Sequence, residues 1–117
     1  MAALTIYHNP KCSKSREALA LLEARGAAPR VVRYLEVPPT AAELAAIVRK
    51  LDMRPEQLVR KGENVFKATY AGRTLTDAEW IEAMVQNPIL IERPIVVKGT
   101  RAVIGRPPER ALTLLDN

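Results

Sequence analysis

The apolar residues near the start of the chain change from a strand-like to a helical spacing and back. A run of β-branched and aromatic residues predicts a strand at Leu4–His8, and a similar run predicts a second strand over residues 31–35. Apolar residues recur at helical spacing over residues 14–25, with Ser13 as the expected N-cap and Gly26 as the expected end. A strand, a helix and a strand in this order predict a right-handed parallel βαβ unit.

The middle of the chain, about residues 36–92, has a helical pattern throughout. Thr40 with Glu43 and Thr76 with Glu79 have the spacing of capping boxes, and an apolar stripe follows each pair. The pattern therefore predicts a helical section between the second and third strands. Two shorter helices are expected within it, one from Pro55 to near Arg60 and one over residues 64–70.

The end of the chain returns to strand-like runs at residues 95–97 and 102–104, which flank Lys98-Gly99-Thr100-Arg101 and predict a β-hairpin. A last helix is expected over residues 109–115. Together these elements predict an α/β chain with a four-stranded mixed sheet, which is the thioredoxin-like arrangement with extra helices. The continuous pattern predicts a single domain over residues 1–117.

The amino-acid composition favours some classes of binding partner over others. The net charge is +5 and the pI about 9.7, which favours anionic ligands. Aromatic residues make up only 4% and the basic residues are scattered, so a small oxyanion accounts for the charge better than a nucleic acid. No apolar run approaches the ~20 residues that span a bilayer, and no signal-peptide pattern opens the chain. We expect a cytoplasmic protein that binds neither nucleic acid nor membrane.

The most informative residue is Cys12, the only cysteine, which lies between the first strand and the first helix. Helix N-terminal amides carry unpaired N–H groups and a partial positive charge, both of which favour a thiolate. Positive charge near the thiol is expected from four side chains: Lys11, Lys14, Arg16 and, depending on its protonation, His8. A lone cysteine needs an outside sulfur to form a disulfide, and the composition predicts no metal site.

Other interpretations of this segment were weighed. Cys12 could be a small buried core residue, although a polar, cationic turn is a poor core. Cysteine-dependent phosphatases place an arginine after five intervening residues, where this chain has Ala18. Ser15 replaces the second cysteine of a Cys-x-x-Cys pair and could donate to the thiolate or only fill the first turn. His8 could tune the thiol or simply end the strand, and Arg16 could point to the site or to solvent.

The segment His8-Asn9-Pro10-Lys11-Cys12-Ser13-Lys14-Ser15-Arg16 resembles the active-site segment of the glutaredoxin-coupled arsenate reductases, the ArsC family. Three further segments resemble the arginine-containing segments of that family, in order along nearly the whole chain. They are Leu58-Val59-Arg60-Lys61, Glu92-Arg93-Pro94-Ile95-Val96 and Ile104-Gly105-Arg106-Pro107-Pro108. Within the family, the chain is most similar to a short, YfgD-like bacterial branch.

The resemblance implies an oxidoreductase that detoxifies arsenic. Cys12 would attack arsenate, and glutathione and glutaredoxin would complete the reduction to arsenite. Arg60, Arg93 and Arg106 would bind the oxyanion, for which planar guanidinium forks are well suited. The resemblance also implies glutathione as co-substrate and a cis peptide bond before Pro94. We further expect a monomer with no bound cofactor, although the sequence alone leaves dimerisation open. The residues expected to support the site are His8, Asn9, Ser15, Arg16 and Pro94.

Two other functions remain open from the sequence. One is a redox-responsive transcription regulator of the Spx type that binds RNA polymerase, although many of these use a Cys-x-x-Cys switch. The other is a general glutathione-linked thiol oxidoreductase, whose disulfide substrate would not need the arginines. Assays of arsenate reduction and of polymerase binding would discriminate between these functions.

Overall fold

A computed structural model of the chain describes residues 3–115. The described residues divide into two compact units. The sheet unit comprises the residues up to Val37 and those from Arg93 onward, and the helical unit is Pro38–Glu92. The organisation of residues 1–117 as one domain stays a prediction. No helix within the described range is long and apolar enough to cross a membrane.

The sheet unit contains four strands, which are β1 Leu4–His8, β2 Arg30–Arg33, β3 Ile95–Lys98 and β4 Arg101–Ile104. They form a mixed sheet with the strand order β2-β1-β3-β4. β1 runs parallel to β2 and antiparallel to β3, and β3 runs antiparallel to β4. The predicted fold class is confirmed: the chain has the thioredoxin-like fold, with helices between β2 and β3.

The register of the sheet brings three chain segments to one end of it. Tyr7, near the end of β1, pairs with Ile95, the first residue of β3. Ile95 in turn pairs with Ile104, the last residue of β4. Three segments therefore lie at the same end of the sheet: the turn that follows β1, the residues that precede β3 and the residues that follow β4. These segments carry Cys12, Arg93 and Arg106.

Helix α1, Ser13–Ala24, differs from its prediction at the N-terminus. The N-cap is Cys12, in an extended conformation (φ −93°, ψ 123°), and no side chain caps the helix. The prediction of Ser13 as N-cap was therefore wrong, because Ser13 is already the first helical residue. At the other end Gly26 has φ +80°, and its N–H and that of Ala27 bond back to helix carbonyls. This left-handed conformation explains the glycine.

β2 begins one residue earlier and ends two residues earlier than predicted, and it ends at Arg33 because the chain turns there. The carbonyl of Arg33 accepts hydrogen bonds from the N–H groups of Glu36 and Val37, both at 2.9 Å. The predicted hairpin is confirmed, with a two-residue turn at Gly99-Thr100. The predicted last helix is a 3₁₀ helix, Pro108–Leu114, rather than an α-helix.

The core of the sheet unit joins the sheet, α1 and the last 3₁₀ helix. Its members are fully buried and come from all three elements. Because α1 directly follows the turn after β1, its N-terminus lies at the end of the sheet described above. The core residues are Ile6, Ala18, Leu22, Val96, Ala111 and Leu114.

The helical unit has two α-helices, α2 Ala41–Leu51 and α3 Asp77–Gln86, that pack on each other. Both predicted capping boxes are confirmed. Phe66 and Trp80 stack with their ring centroids 6.1 Å apart within the unit. Three short segments complete it: a 3₁₀ helix Pro55–Leu58, a π-helical segment Phe66–Tyr70 and a 3₁₀ helix Pro88–Leu90.

Candidate active site

The turn that carries Cys12 is held by its own backbone and by two side chains. The Cys12 N–H donates to the Asn9 carbonyl at 3.0 Å, and the Lys11 N–H donates to Asn9 Oδ1 at 3.0 Å. Arg16 Nη1 donates to the Pro10 carbonyl at 2.9 Å, which links the first turn of α1 to the loop before it. The buried Asn9 and the exposed Arg16 therefore shape the turn from its two ends.

A buried polar pair, His8 and Ser15, lies beneath this turn. His8 Nδ1 and Ser15 Oγ are 2.7 Å apart, and Ser15 Oγ also accepts from the Asn9 N–H at 3.0 Å. Burial, and then the charges of Arg33 and Arg16, hold the pKa of His8 below its usual value. His8 is therefore favoured as a neutral imidazole and does not supply the positive charge considered from the sequence. The hydroxyl of Ser15 bonds to His8 and the backbone rather than only filling space.

Arg106, which follows the end of β4, lies beside the thiol of Cys12. Its Nη2 lies 3.4 Å from Cys12 Sγ, and its Nε donates to the carbonyl oxygen of Arg93 at 2.7 Å. The bond from Nε fixes the plane of the guanidinium, because it anchors one edge of the fork to the backbone. Cys12 is half-buried, and Arg93 is buried with 7% of its surface exposed. Three residues far apart in sequence thus meet at the sulfur.

The surroundings of Cys12 favour its thiolate. Burial raises the pKa of the thiol, but four other contributions outweigh it and hold the pKa below its ordinary value. These are hydrogen bonds from the backbone N–H groups of Ser15 and Lys14, the charge of Arg106, and a hydrogen bond from the Arg93 side chain. The helix N-terminus acts as the sequence predicted.

The cations that act on the thiol differ from those named from the sequence. Arg106 and Arg93 supply the side-chain contributions. The Lys14 side chain instead lies 3.5 Å from the Glu17 carboxylate, and Arg16 bonds to a backbone carbonyl. Proximity along the chain was a poor guide, because long cationic side chains at a helix start extend into solvent.

Gly105, directly before Arg106, packs closely on Pro94. A Cβ at Gly105 would lie 2.8 Å from Pro94 Cγ and 3.3 Å from Ala18 Cβ, and the Gly105 N–H donates to the Pro94 carbonyl at 2.9 Å. The Arg93–Pro94 bond is cis, as predicted, and the Arg106–Pro107 bond is also cis. Sequence reasoning named neither the role of Gly105 nor the second cis bond. A glycine between a strand and an Arg-Pro pair was the available signal for the first.

Arg60 lies in the helical unit. Its Nε donates to Glu63 Oε2 at 3.1 Å and its Nη1 donates to Glu92 Oε1 at 2.8 Å. Burial lowers the pKa of Arg60, but its bonds with the two carboxylates outweigh burial and raise it. The structure therefore joins Cys12, Arg93 and Arg106 in one unit, while the predicted role of Arg60 as an oxyanion ligand stays a prediction. Among residues 3–115, no group of three or more His, Cys, Asp or Glu side chains could hold a metal ion.

The chain is similar to known proteins along nearly its whole length. The ArsC family model matches residues 7–114. The uncharacterized protein YfgD of Escherichia coli (strain K12) is 48% identical over 94% of this chain and 94% of its own. An arsenate reductase of Haemophilus influenzae (strain ATCC 51907 / DSM 11121 / KW20 / Rd) is 44% identical over 97% of this chain and 99% of its own. The solved arsenate reductase from Vibrio cholerae superposes with a TM-score of 0.92 at 46% identity, covering 96% of this chain and 97% of that one. The chain belongs to the ArsC family.

Proposed function

We propose that this protein is an arsenate reductase that obtains its second thiol from glutathione and is recycled by glutaredoxin. The observation that carries the proposal is the guanidinium of Arg106, 3.4 Å from a thiol whose pKa is lowered. A fixed cation beside a thiolate both stabilises the nucleophile and attracts an anion to it. Similarity to proteins named arsenate reductase supports the choice of arsenate.

In the first step the Cys12 thiolate attacks the arsenic atom. A sulfur–arsenic bond forms, and one arsenate oxygen leaves as water after protonation. Arg106 and Arg93 are proposed to hold the remaining oxygens, because planar N–H forks match a tetrahedral oxyanion. Arg60 is proposed as a third ligand on the resemblance alone.

In the second step glutathione supplies the other sulfur. Its thiolate attacks Cys12 Sγ, a sulfur–sulfur bond forms, and the sulfur–arsenic bond breaks with its electron pair passing to arsenic. Arsenic is thereby reduced by two electrons to arsenite, and the two thiols are oxidised to a mixed disulfide. Glutaredoxin then attacks that disulfide and regenerates Cys12. An external thiol is needed because the chain has one cysteine.

The supporting residues are proposed to keep the turn in its reactive conformation. His8, Ser15 and Asn9 form the buried hydrogen-bond network under Cys12, and Arg16 holds the loop from outside. Pro94 is proposed to act through its packing against Gly105, which places Arg106 at the sulfur.

The two other functions receive less support. A Cys-x-x-Cys regulator would need an oxidisable residue at position 15, where a fully buried serine bonds to His8. A thiol oxidoreductase acting only on disulfides could use the charge of Arg106 to stabilise its thiolate, but its substrate offers no oxyanion for the planar guanidinium fork to bind. The arrangement of Arg106 therefore favours the reductase.

The test is arsenite formation from arsenate with glutathione and glutaredoxin, compared between the wild type and Cys12→Ser. Cys12→Ser should abolish turnover and remain folded, because Cys12 lies half-exposed in a turn. Ser13→Ala, an exposed change at the adjacent residue, is the matched control and should retain activity. Arsenite formation that persists in Cys12→Ser would disprove the nucleophile. Activity of the wild type only towards disulfides, or capture of RNA polymerase without reductase activity, would favour the other two functions.

A further inference from the structure

The guanidinium of Arg60 is bonded to two carboxylates of the helical unit. Glu63 Oε2 lies 3.1 Å from Nε, and Glu92 Oε1 lies 2.8 Å from Nη1. All three side chains are partly shielded, with exposed fractions of 26%, 25% and 29% for Arg60, Glu63 and Glu92. The cation is thus paired with two formal negative charges.

The backbone sets both contacts. Glu63 follows Arg60 by three residues, and Glu92 is placed by a short antiparallel pairing of two segments. In that pairing the Arg60 N–H donates to the Leu90 carbonyl at 2.7 Å, and the Glu92 N–H donates to the Leu58 carbonyl at 2.9 Å. The arrangement is therefore fixed by the fold of the unit and is not a chance contact between two flexible side chains.

The two bonds occupy both forks of the guanidinium. An arginine offers a bidentate pair along its Nε–Nη2 edge and a second pair along its Nη1–Nη2 end. Glu63 occupies Nε on the first edge, and Glu92 occupies Nη1 at the second. A tetrahedral oxyanion that binds at either fork therefore meets a nitrogen that already donates to a carboxylate.

We propose that Glu63 and Glu92 act as a carboxylate latch on Arg60, which an oxyanion displaces at one of its two points in order to bind bidentately. The inference rests on the proposed function, in which Arg60 is an oxyanion ligand. The latch makes Glu63 and Glu92 determinants of oxyanion affinity. The two carboxylates would neutralise the charge of Arg60 until an anion with more charge than one carboxylate displaces one of them.

The energetics allow such an exchange. Partly exposed ion pairs are worth only about 0.2–1 kcal/mol each, so either carboxylate can be displaced. The guanidinium keeps its proton throughout, since its pKa is raised by the carboxylates even though burial acts against this. Displacement therefore exchanges one anion for another without a proton transfer.

Calorimetric titration of arsenate into the Cys12→Ser protein measures this affinity without turnover. Glu92→Gln and Glu63→Gln remove one charge each and keep the side-chain shape. Glu56→Gln is the matched control, because Glu56 is an exposed residue of the same unit that pairs with Lys61 at 2.9 Å rather than with Arg60. We expect Glu92→Gln to bind arsenate more tightly, by up to about fivefold. Glu56→Gln should bind as the parent does.

A double-mutant cycle with Arg60→Gln separates a latch from a general charge effect. In the Arg60→Gln background, Glu92→Gln should no longer change the affinity. With Cys12 intact, Glu92→Gln should lower KM for arsenate with little change in kcat. Weaker, unchanged or undetectable arsenate binding in both glutamine variants would overturn the latch, as would tightening that persists without Arg60.

The same titrations distinguish failure of the latch from failure of the proposed function. Tighter binding in Glu92→Gln without any arsenite formation by the wild type would leave the latch standing and remove the reductase. Arsenite formation by the wild type, with unchanged or weaker binding in Glu92→Gln and Glu63→Gln, would do the reverse.

Discussion

Arg106 Nη2 lies 3.4 Å from Cys12 Sγ although the two residues are 94 positions apart in the chain. The contact depends on the sheet register: β3 pairs with both β1 and β4, and this pairing places the end of β1 and the end of β4 at the same end of the sheet. It depends also on the Arg93 carbonyl, which accepts the Nε hydrogen of Arg106 at 2.7 Å. The nucleophile and its cation are therefore positioned by the fold as a whole.

Arg106→Lys should lower kcat/KM for arsenate by roughly ten- to a hundredfold. A lysine keeps the charge but carries a single nitrogen, so it lacks the planar fork in which one nitrogen bonds to the Arg93 carbonyl and another faces the sulfur. Steady-state kinetics with glutathione and glutaredoxin measures the loss. Arg110→Lys, an exposed change in the last 3₁₀ helix, is the control. Equal activity of Arg106→Lys and the wild type would show that the planar fork is not needed.

The reactivity of Cys12 should depend on pH with a midpoint below that of free cysteine, about 8.5. Raising the pH increases the thiolate fraction, and the lowered pKa moves this rise towards neutral pH. Alkylation rates measured against pH report the midpoint. Arg106→Gln should shift it upward, because the charge of Arg106 is one of the contributions that lower it. A wild-type midpoint at or above that of free cysteine would indicate an inert, buried thiol.

Ser15→Ala should destabilise the protein by about 1–3 kcal/mol, because it removes a partner from the buried His8 ring and from the Asn9 N–H. Denaturant unfolding measures the change. Ser13→Ala, which alters an exposed serine of the same turn, should have little effect on stability. Equal stabilities of the two variants would mean that the network under the turn contributes nothing.

Gly105→Ala should lower both stability and activity. The new Cβ would lie 2.8 Å from Pro94 Cγ, so the backbone before Arg106 has to move. Such overpacking costs about 1–3 kcal/mol. Gly62→Ala introduces a Cβ with nothing within 4 Å and is the control for stability. Unchanged unfolding and unchanged kinetics in Gly105→Ala would show that this close approach does not position the arginine.

Elements set by local chemistry were predictable from the sequence, and contacts set by the tertiary fold were not. The capping boxes at Thr40 and Thr76 involve residues three apart, and the hairpin turn at Gly99 is equally local. The bonds of Ser15 to His8 and to the Asn9 backbone require the turn to fold back under the helix. No periodicity encodes that arrangement.

The same distinction between local chemistry and tertiary contacts applies to the candidate site. The lowered pKa of Cys12 followed from its position before a helix, but the chain neighbours were wrong as the source of cationic help. Arg93 and Arg106 were named through the family resemblance, since an isolated arginine carries no local signal of its partner. The short pairing that places Glu92 beside Arg60 was invisible for the same reason.

The central claim is that Cys12 takes the oxyanion and is then resolved by an outside thiol. Mass spectrometry of the protein incubated with arsenate and glutathione, without glutaredoxin, tests it most directly. The account predicts one glutathione joined to Cys12 in step with the arsenite formed, dependent on arsenate, and removed when glutaredoxin is added. Arsenite produced with Cys12 unmodified throughout, or the same adduct formed equally well without arsenate, would contradict it.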